Sequence, residues 1–432
     1  MTRDRKNKLS GALARPVARR SFLRMAGAIG GGAVLAGCKP DSSSTTQPSG
    51  TGASASGNTP VAAPSVAASQ PEMARFPEKT DLILLTDRPP QLETPIKYFE
   101  TDLTPNEAFF VRWHLADIPT SVDPAQFRLA VRGHVNNAFN LSVDELKSGF
   151  EAVSIVAVNQ CSGNSRSLFE PRVAGGQWGH GAMGNAKWTG VRLADLLDKA
   201  GVKSGAVDVS FQGLDRPVLP VTPAFIKSLK LEKAKDRDVI VAYAMNDQPL
   251  PMLNGFPIRL VVPGWYATYW VKALNDINVL NEPFQGFWMA KAYRIADNPH
   301  ATETPDQLAA VTVPINRMTV RSLIVSPRAD TAVSAGKACE IQGIAFDGGK
   351  GIAEVEISTD GGGKWKNAAL DASNMDNFSW RRWRFNWTPT APGTARLMAR
   401  ATNAAGDTQE TSQWNRSGYA RDVIEQVEIN VG

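Results

Sequence analysis

The sequence predicts an α+β domain with mixed β-sheets, followed by an immunoglobulin-like β-sandwich, and three observations carry that prediction. From about residue 76 to residue 310, short helix signals alternate with strand-like apolar runs. From about Val311 onward, alternating strands separated by glycine-rich turns replace them. Ahead of both, residues 38–75 are dominated by Ser, Thr, Pro, Ala and Gly, a composition that cannot bury enough apolar surface to offset its own ordering entropy.

In the first folded unit, Ser142-Val143-Asp144-Glu145 is a capping box that opens a short helix. Leu193 to Ala200 reads as a helix stopped by Gly201. Thr222-Pro223 reads as an N-cap followed by proline at the first helical position. Val153 to Val158, Val207 to Phe211 and Ile258 to Val262 read as strands.

In the second unit, Glu354 to Ser358 alternates strictly and Asp360-Gly361-Gly362 turns the chain. Trp383, Phe385 and Trp387 alternate with Arg384 and Asn386, and Arg396 to Arg400 is a further short strand. Neither helical periodicity nor a solenoid repeat is visible there.

The N-terminus reads as an address. Arg19-Arg20-Ser21-Phe22-Leu23-Arg24 precedes an apolar, glycine-rich stretch from Met25 to Gly37. Twin arginines in that setting predict Tat export, a route that carries folded proteins. The stretch is too short to span a bilayer. Leu35-Ala36-Gly37-Cys38 resembles a lipobox, so lipidation at Cys38 is expected, with the membrane reached through that anchor only. The predicted organisation is therefore a signal peptide over residues 1–37, a tether over 38–75, a catalytic domain over 76–310 and a sandwich over 311–432. A periplasmic, lipid-anchored protein follows.

Charge and cysteine usage exclude several classes. The formal net charge of +5 comes from residues 1–37, which hold eight Lys and Arg against Asp4; the remainder carries 39 basic and 41 acidic residues. A nucleic-acid partner is not expected. The three cysteines, Cys38, Cys161 and Cys339, form no CxxC pair and no CxxCH, which argues against a zinc ribbon and against haem in this chain. No Cys161–Cys339 disulfide is expected, because the two lie in different predicted domains.

Chemistry concentrates where the strand from Val153 to Asn159 runs into Gln160-Cys161-Ser162-Gly163-Asn164-Ser165-Arg166. A cation five residues beyond a thiol favours thiolate, the form that soft metals need. By spacing alone a lone cysteine is more often an inert core residue. The wider pattern changes that reading. Cys161 to Arg166, Gly175-Gly176-Gln177-Trp178-Gly179 and Ala186-Lys187-Trp188-Thr189-Gly190-Val191-Arg192-Leu193 resemble the molybdenum-binding segment of the sulfite oxidase family. The resemblance extends upstream to Phe109-Phe110-Val111-Arg112-Trp113-His114. Downstream it passes through Phe211 to Asp215, Ala242 to Asn246 and Phe256 to Gly264. It covers about residues 80–430 and runs nearest to the bacterial sulfite dehydrogenases.

The resemblance implies a molybdopterin cofactor with Cys161 as the protein's ligand to molybdenum. It makes Arg112, His114, Asp215, Arg259 and Lys272 candidate contacts to the pterin or its phosphate, for which Arg forks and a Lys point charge are suited. It places Arg112, Arg166, Trp178 and Tyr293 at the substrate pocket, with sulfite as substrate, an external c-type cytochrome as electron acceptor and a homodimer through the sandwich.

The chain also departs from the family pattern. Trp113 stands where vertebrate members have Asn, Asn254 where many have a pterin-contacting His, and Arg416 is shifted by one from their third substrate-site Arg. Two other readings are weighed: the molybdenum subunit of a thiosulfate-oxidising complex acting on protein-bound sulfane sulfur, and a cofactor-free scaffold of the same fold. Plant-type nitrate reductases and methionine sulfoxide reductase relatives fit the substrate-site residues less well.

Overall fold

A computed structural model describes residues 73–74, 76, 78–372 and 376–432. The expected signal peptide, Cys38 and the tether up to residue 72 lie outside the described residues. No helix among the described residues is long and apolar enough to cross a membrane.

Strands dominate, with few and short helices. The capping box forms: Ser142 Oγ accepts from the Glu145 amide at 3.2 Å, and Glu145 Oε2 accepts from the Ser142 amide at 2.7 Å, opening the helix Val143–Gly149. The helix Leu193–Ala200 ends at Gly201, whose φ of 64° is the left-handed cap that glycine adopts without a Cβ penalty.

The expected helix after Thr222-Pro223 is absent. Residues 223–225 are loop, and Ile226–Lys230 is a strand paired antiparallel with Asp208–Gly213. The local N-cap signal is overridden because the ladder satisfies this backbone while Lys227, Ser228 and Leu229 are buried.

Among the described residues, three sheets of four or five strands build the first unit, and a two-stranded ladder pairs Arg294–Ala296 with Thr312–Pro314 at its end. The first runs through Met73–Ala74, Leu82–Asp87, Pro90–Glu93 and Val111–Arg112. A second, mixed sheet orders Ile226–Lys230, Asp208–Gly213, Leu274–Leu280, Leu129–Gly133 and Phe139–Leu141, with only the Leu274–Leu280 and Leu129–Gly133 pair parallel. The third orders Gln248–Pro249, Ile240–Met245, Met183–Arg192 and Val153–Gln160, with Arg259–Val261 alongside Ile240–Met245. Val153–Gln160, Asp208–Gly213 and Arg259–Val261 are largely buried strands, and each forms over one of the three apolar runs that the sequence predicted.

The C-terminal unit is a sandwich of two antiparallel sheets. One orders Arg321–Ser326, Cys339–Phe346, Arg381–Trp387 and Ala369–Leu370; the other orders Lys366–Asn367, Ile352–Ser358, Gly393–Asn403 and Gln426–Val431. Alternate residues from the two sheets meet in one core, including Ile341, Trp383, Val355, Leu397 and Ile429. The opposite face of the first sheet joins the main core of the molecule through Leu323, Val325, Ile344 and Phe346. Apolar packing therefore runs continuously from the sandwich to the strand that ends at Cys161. Cys161 and Cys339 are both free thiols.

Candidate active site

Cys161 follows the end of the strand Val153–Gln160 and is 7% exposed. Its amide donates to the Ala182 carbonyl at 2.9 Å, and Asn164 Oδ1 accepts from the Ala182 amide at 3.0 Å. The loop 161–166 is thus folded against the segment around Trp178, which Glu93 braces by accepting from the amides of Gly179 (2.8 Å) and Gly181 (2.9 Å). Ser165 sits at φ 66°, a left-handed turn held from the sandwich by Arg321, whose Nη1 and Nη2 both donate to Ser165 Oγ at 3.2 Å.

Two cavities meet at this loop. The inner one holds about 490 Å3 of atom-free space and is walled by Arg112, His114, Cys161, Arg259, Lys272 and Tyr293, among others. The outer one is an open cleft of about 1110 Å3, solvent included, that reaches Arg166, Trp178, Arg416 and Tyr419. Arg112, Cys161 and Tyr293 line both and form the partition between them.

The inner cavity is cationic and has no carboxylate on its wall. Arg259 is buried; Nη1 donates to the Asn254 carbonyl at 2.9 Å and Nη2 to the Trp270 carbonyl at 3.1 Å, and burial pulls its guanidinium down to about 9. Lys272 Nζ donates to the Arg112 carbonyl at 2.7 Å above the Trp113 ring. Burial first, then neighbouring Arg259, lowers the ammonium to about 7. His114 is stacked on Phe225, with centroids 3.6 Å apart, and hydrogen-bonds through Nε2 to the Tyr293 hydroxyl. Burial, followed by Arg112, Lys272 and Lys227, holds its imidazole well below the ordinary histidine value, hence neutral. Burial likewise raises the Tyr293 phenol, so it keeps its proton.

Of the sequence candidates, Asp215 alone stands off the walls of both cavities. It is buried behind Lys272, where desolvation raises its carboxyl to about 6. Asn254, at the position where a family His was expected, instead accepts from Lys79 Nζ and donates to the Phe110 carbonyl at 3.0 Å. Arg416 is committed elsewhere: its Nε donates to Glu303 Oε1 at 2.9 Å, within an ion pair whose carboxylate is 2% exposed.

Sequence reasoning missed Ser417 and Tyr419 on the outer cleft and Lys227 behind Tyr293. Tyr419 lies three residues beyond Arg416, in a segment already singled out. Lys227 lies on the strand that the sequence read as a helix.

The donor set fits a molybdopterin group. Arg112 Nη1, Asn159 Nδ2, Ser162 Oγ, Arg259 Nε and Thr268 Oγ1 are buried without a hydrogen-bond partner, and all five residues wall the inner cavity. Orphaned donors beside lowered cations describe a pocket shaped for an anion it must receive. Among the described residues no cluster of three or more His, Cys, Asp or Glu converges on a metal position. A metal at Cys161 therefore needs donors that arrive with it, as a pterin dithiolene supplies.

Residues 115–288 match the family described as oxidoreductase molybdopterin binding domain, and residues 312–432 match the Mo-co oxidoreductase dimerisation domain. The sulfite oxidase of Arabidopsis thaliana is 30% identical over 355 residues, covering 76% of this chain and 88% of the plant protein. This chain belongs to the sulfite oxidase family. Mitochondrial sulfite oxidase of Homo sapiens is 33% identical over 358 residues, covering 79% of this chain; the chain spans 63% of the human protein's length. Among solved structures, the sulfane dehydrogenase SoxCD from Paracoccus pantotrophus superposes with a TM-score of 0.68 at 25% identity, covering 78% of this chain and 84% of that one. Membership accounts for the pocket: the inner cavity's cations and unpaired donors suit the anionic cofactor for which the matched domain is described.

Proposed function

We propose that this protein is a molybdenum-dependent sulfite dehydrogenase that passes electrons one at a time to an external c-type cytochrome. The observation that carries this reading is Arg166. Its guanidinium lines the cleft beside Cys161 and donates to backbone carbonyls, with no ion pair to a carboxylate among the described residues, so its charge is free for a small oxyanion.

The overall change is sulfite plus water to sulfate, two protons and two electrons. The molybdopterin group, held by Cys161, Arg112, Arg259 and Lys272, supplies the two-electron redox change. Arg166 and Arg112 hold the substrate's oxygens by charge-assisted hydrogen bonds and leave its sulfur lone pair unengaged. Tyr293 keeps its proton at Oη in a hydrogen bond with neutral His114, a pair at the partition that returns to neutrality only when a proton taken up at one end is matched by one released at the other. Trp178, 1% exposed, packs the cleft wall and gives it a fixed apolar surface. Residues 312–432 supply a homodimer contact, as the dimerisation-domain match supports.

A second reading is favoured by the size of the open outer cleft and by the likeness to a sulfane dehydrogenase: oxidation of sulfane sulfur carried on a partner protein. A substrate panel on metal-loaded protein, with cytochrome c reduction followed optically, tests both. Turnover with sulfite supports the first reading; turnover only with carrier-bound sulfur selects the second. Cys161→Ser replaces a soft ligand by a hard one and abolishes turnover; near-parent turnover by a molybdenum-loaded variant overturns ligation by Cys161.

For location, we propose Tat export to the periplasm and lipid attachment at Cys38, supported by Arg19-Arg20 and by Leu35-Ala36-Gly37-Cys38.

A further inference from the structure

Arg166 is held without a carboxylate. Nη1 donates to the Gly176 carbonyl at 3.1 Å, and Nε and Nη2 donate to the Ser417 carbonyl at 3.3 and 3.2 Å. A Cβ at Gly163, Gly175 or Gly418 would stand 2.5, 2.7 or 2.8 Å from an Arg166 side-chain atom, so three glycines form a sleeve around it. Tyr419 gives the remaining support: the guanidinium carbon lies 4.9 Å from the centroid of its ring, and the two side chains also meet through the Tyr419 hydroxyl.

Tyr419 is itself fixed. Asn415 Oδ1 accepts from its amide at 3.1 Å, Asn415 Nδ2 donates to its carbonyl at 3.0 Å, and the next amide, of Ala420, donates to the carbonyl of Ser162 at 3.1 Å. Ser162 is the neighbour of Cys161. The Tyr419 ring also lies parallel to that of Tyr293, with centroids 5.3 Å apart and planes 2° from coplanar orientation.

We propose that Tyr419 is a positioning residue for Arg166 and thereby a determinant of anion affinity. The chemistry favours a π face over a carboxylate in this role. A carboxylate would fix the guanidinium equally well but would cancel the charge that the substrate must meet. A ring face and backbone carbonyls hold its plane and leave the full charge in place. The adjacent Arg416 shows the contrast, because Glu303 has taken its charge. This inference rests on the reading of the cleft as a site for sulfur oxyanions.

The test uses the cofactor-loaded full chain with Tyr419→Leu and Tyr419→Phe, each alone and combined with Arg166→Met. Sulfate binding is measured by calorimetry, and sulfite KM and kcat by cytochrome reduction. Tyr419→Leu is expected to weaken sulfate and raise sulfite KM by the same factor, about three- to thirtyfold, exceeding any change in kcat. Tyr419→Phe is expected to recover most of that loss. In the Arg166→Met background Tyr419→Leu is expected to cost no further sulfate affinity. An equal loss in both backgrounds overturns the proposal, as does a loss confined to kcat, which would make Tyr419 a partner of Tyr293 alone. Should Tyr419→Leu unfold, stepwise fluorinated phenylalanines at position 419 drain the π face while keeping its shape. A graded loss of sulfate affinity supports the proposal and a flat series overturns it. Sulfate binding is read without turnover. A parent protein that binds sulfate through both residues yet leaves sulfite unoxidised fails the functional reading alone.

Discussion

The carbonyl oxygen of Ser417 accepts from both Nε and Nη2 of Arg166, at 3.3 and 3.2 Å, across 251 positions of sequence. The contact makes the C-terminal segment part of the wall of the outer cleft. Together with Arg321 on Ser165 and the Ala420 amide on Ser162, it holds the loop after Cys161 from the sandwich side.

Arg166→Met is expected to raise the KM for sulfite about tenfold or more, since a charge-assisted hydrogen bond contributes about 1.5–3 kcal/mol. Arg416→Met is expected to raise it far less, because Glu303 already neutralises that guanidinium. Steady-state kinetics compares the two; an Arg416 effect as large as that of Arg166 would place Arg416 on the substrate.

Gly418 has φ 58°, and a Cβ there would meet Val173 Cγ2 at 2.5 Å and Arg166 Cγ at 2.8 Å. Gly418→Ala is therefore expected to lower both Tm and anion affinity. Gly406 has φ 88° with nothing within 4 Å of its Cβ position. Gly406→Ala carries the backbone strain, of order 1–3 kcal/mol, without the contact, and is expected to lower Tm alone. Loss of sulfate affinity in both variants would detach the effect from Arg166.

His300 donates to Asp422 Oδ2 and faces Glu410 Oε1, each at 3.0 Å, and the Asp422 bond raises its imidazole above 6.5. A raised folded value means that its stabilisation is complete below the ordinary histidine value, while Asp422 remains ionised, and is lost as pH climbs through the folded value. The Tm difference between parent and His300→Gln should accordingly be larger near about pH 5.5 than near about pH 8.5. A difference that grows with pH would contradict the assignment.

Changing Arg19 and Arg20 together to Lys is expected to leave folded precursor in the cytoplasm. Cys38→Ala is expected to block lipid attachment and cleavage at that position instead. Fractionation of the cysteine variant identical to the parent would remove the lipid anchor.

The local signals in the sequence determined much of this protein. The Ser142–Glu145 capping box, the Gly201 stop and the buried strand ending at Cys161 formed as read, because each is set by neighbours a few residues away. Cys161, Arg112, Arg166, Arg259 and Tyr293 were legible through their motifs, and the structure gathers them around two adjoining cavities. Tertiary structure decided what local signals do not carry. It turned the expected helix after Thr222 into a strand, since pairing with Asp208–Gly213 outweighs an N-cap. It set Asp215 behind Lys272 and spent Arg416 on Glu303. It brought Ser417, Gly418 and Tyr419 to Arg166 from the far end of the chain. Which cation keeps its charge for a substrate depends on where carboxylates come to rest in space. Sequence spacing does not contain that information: Glu303 lies 113 positions from Arg416, and Ser417 lies 251 from Arg166.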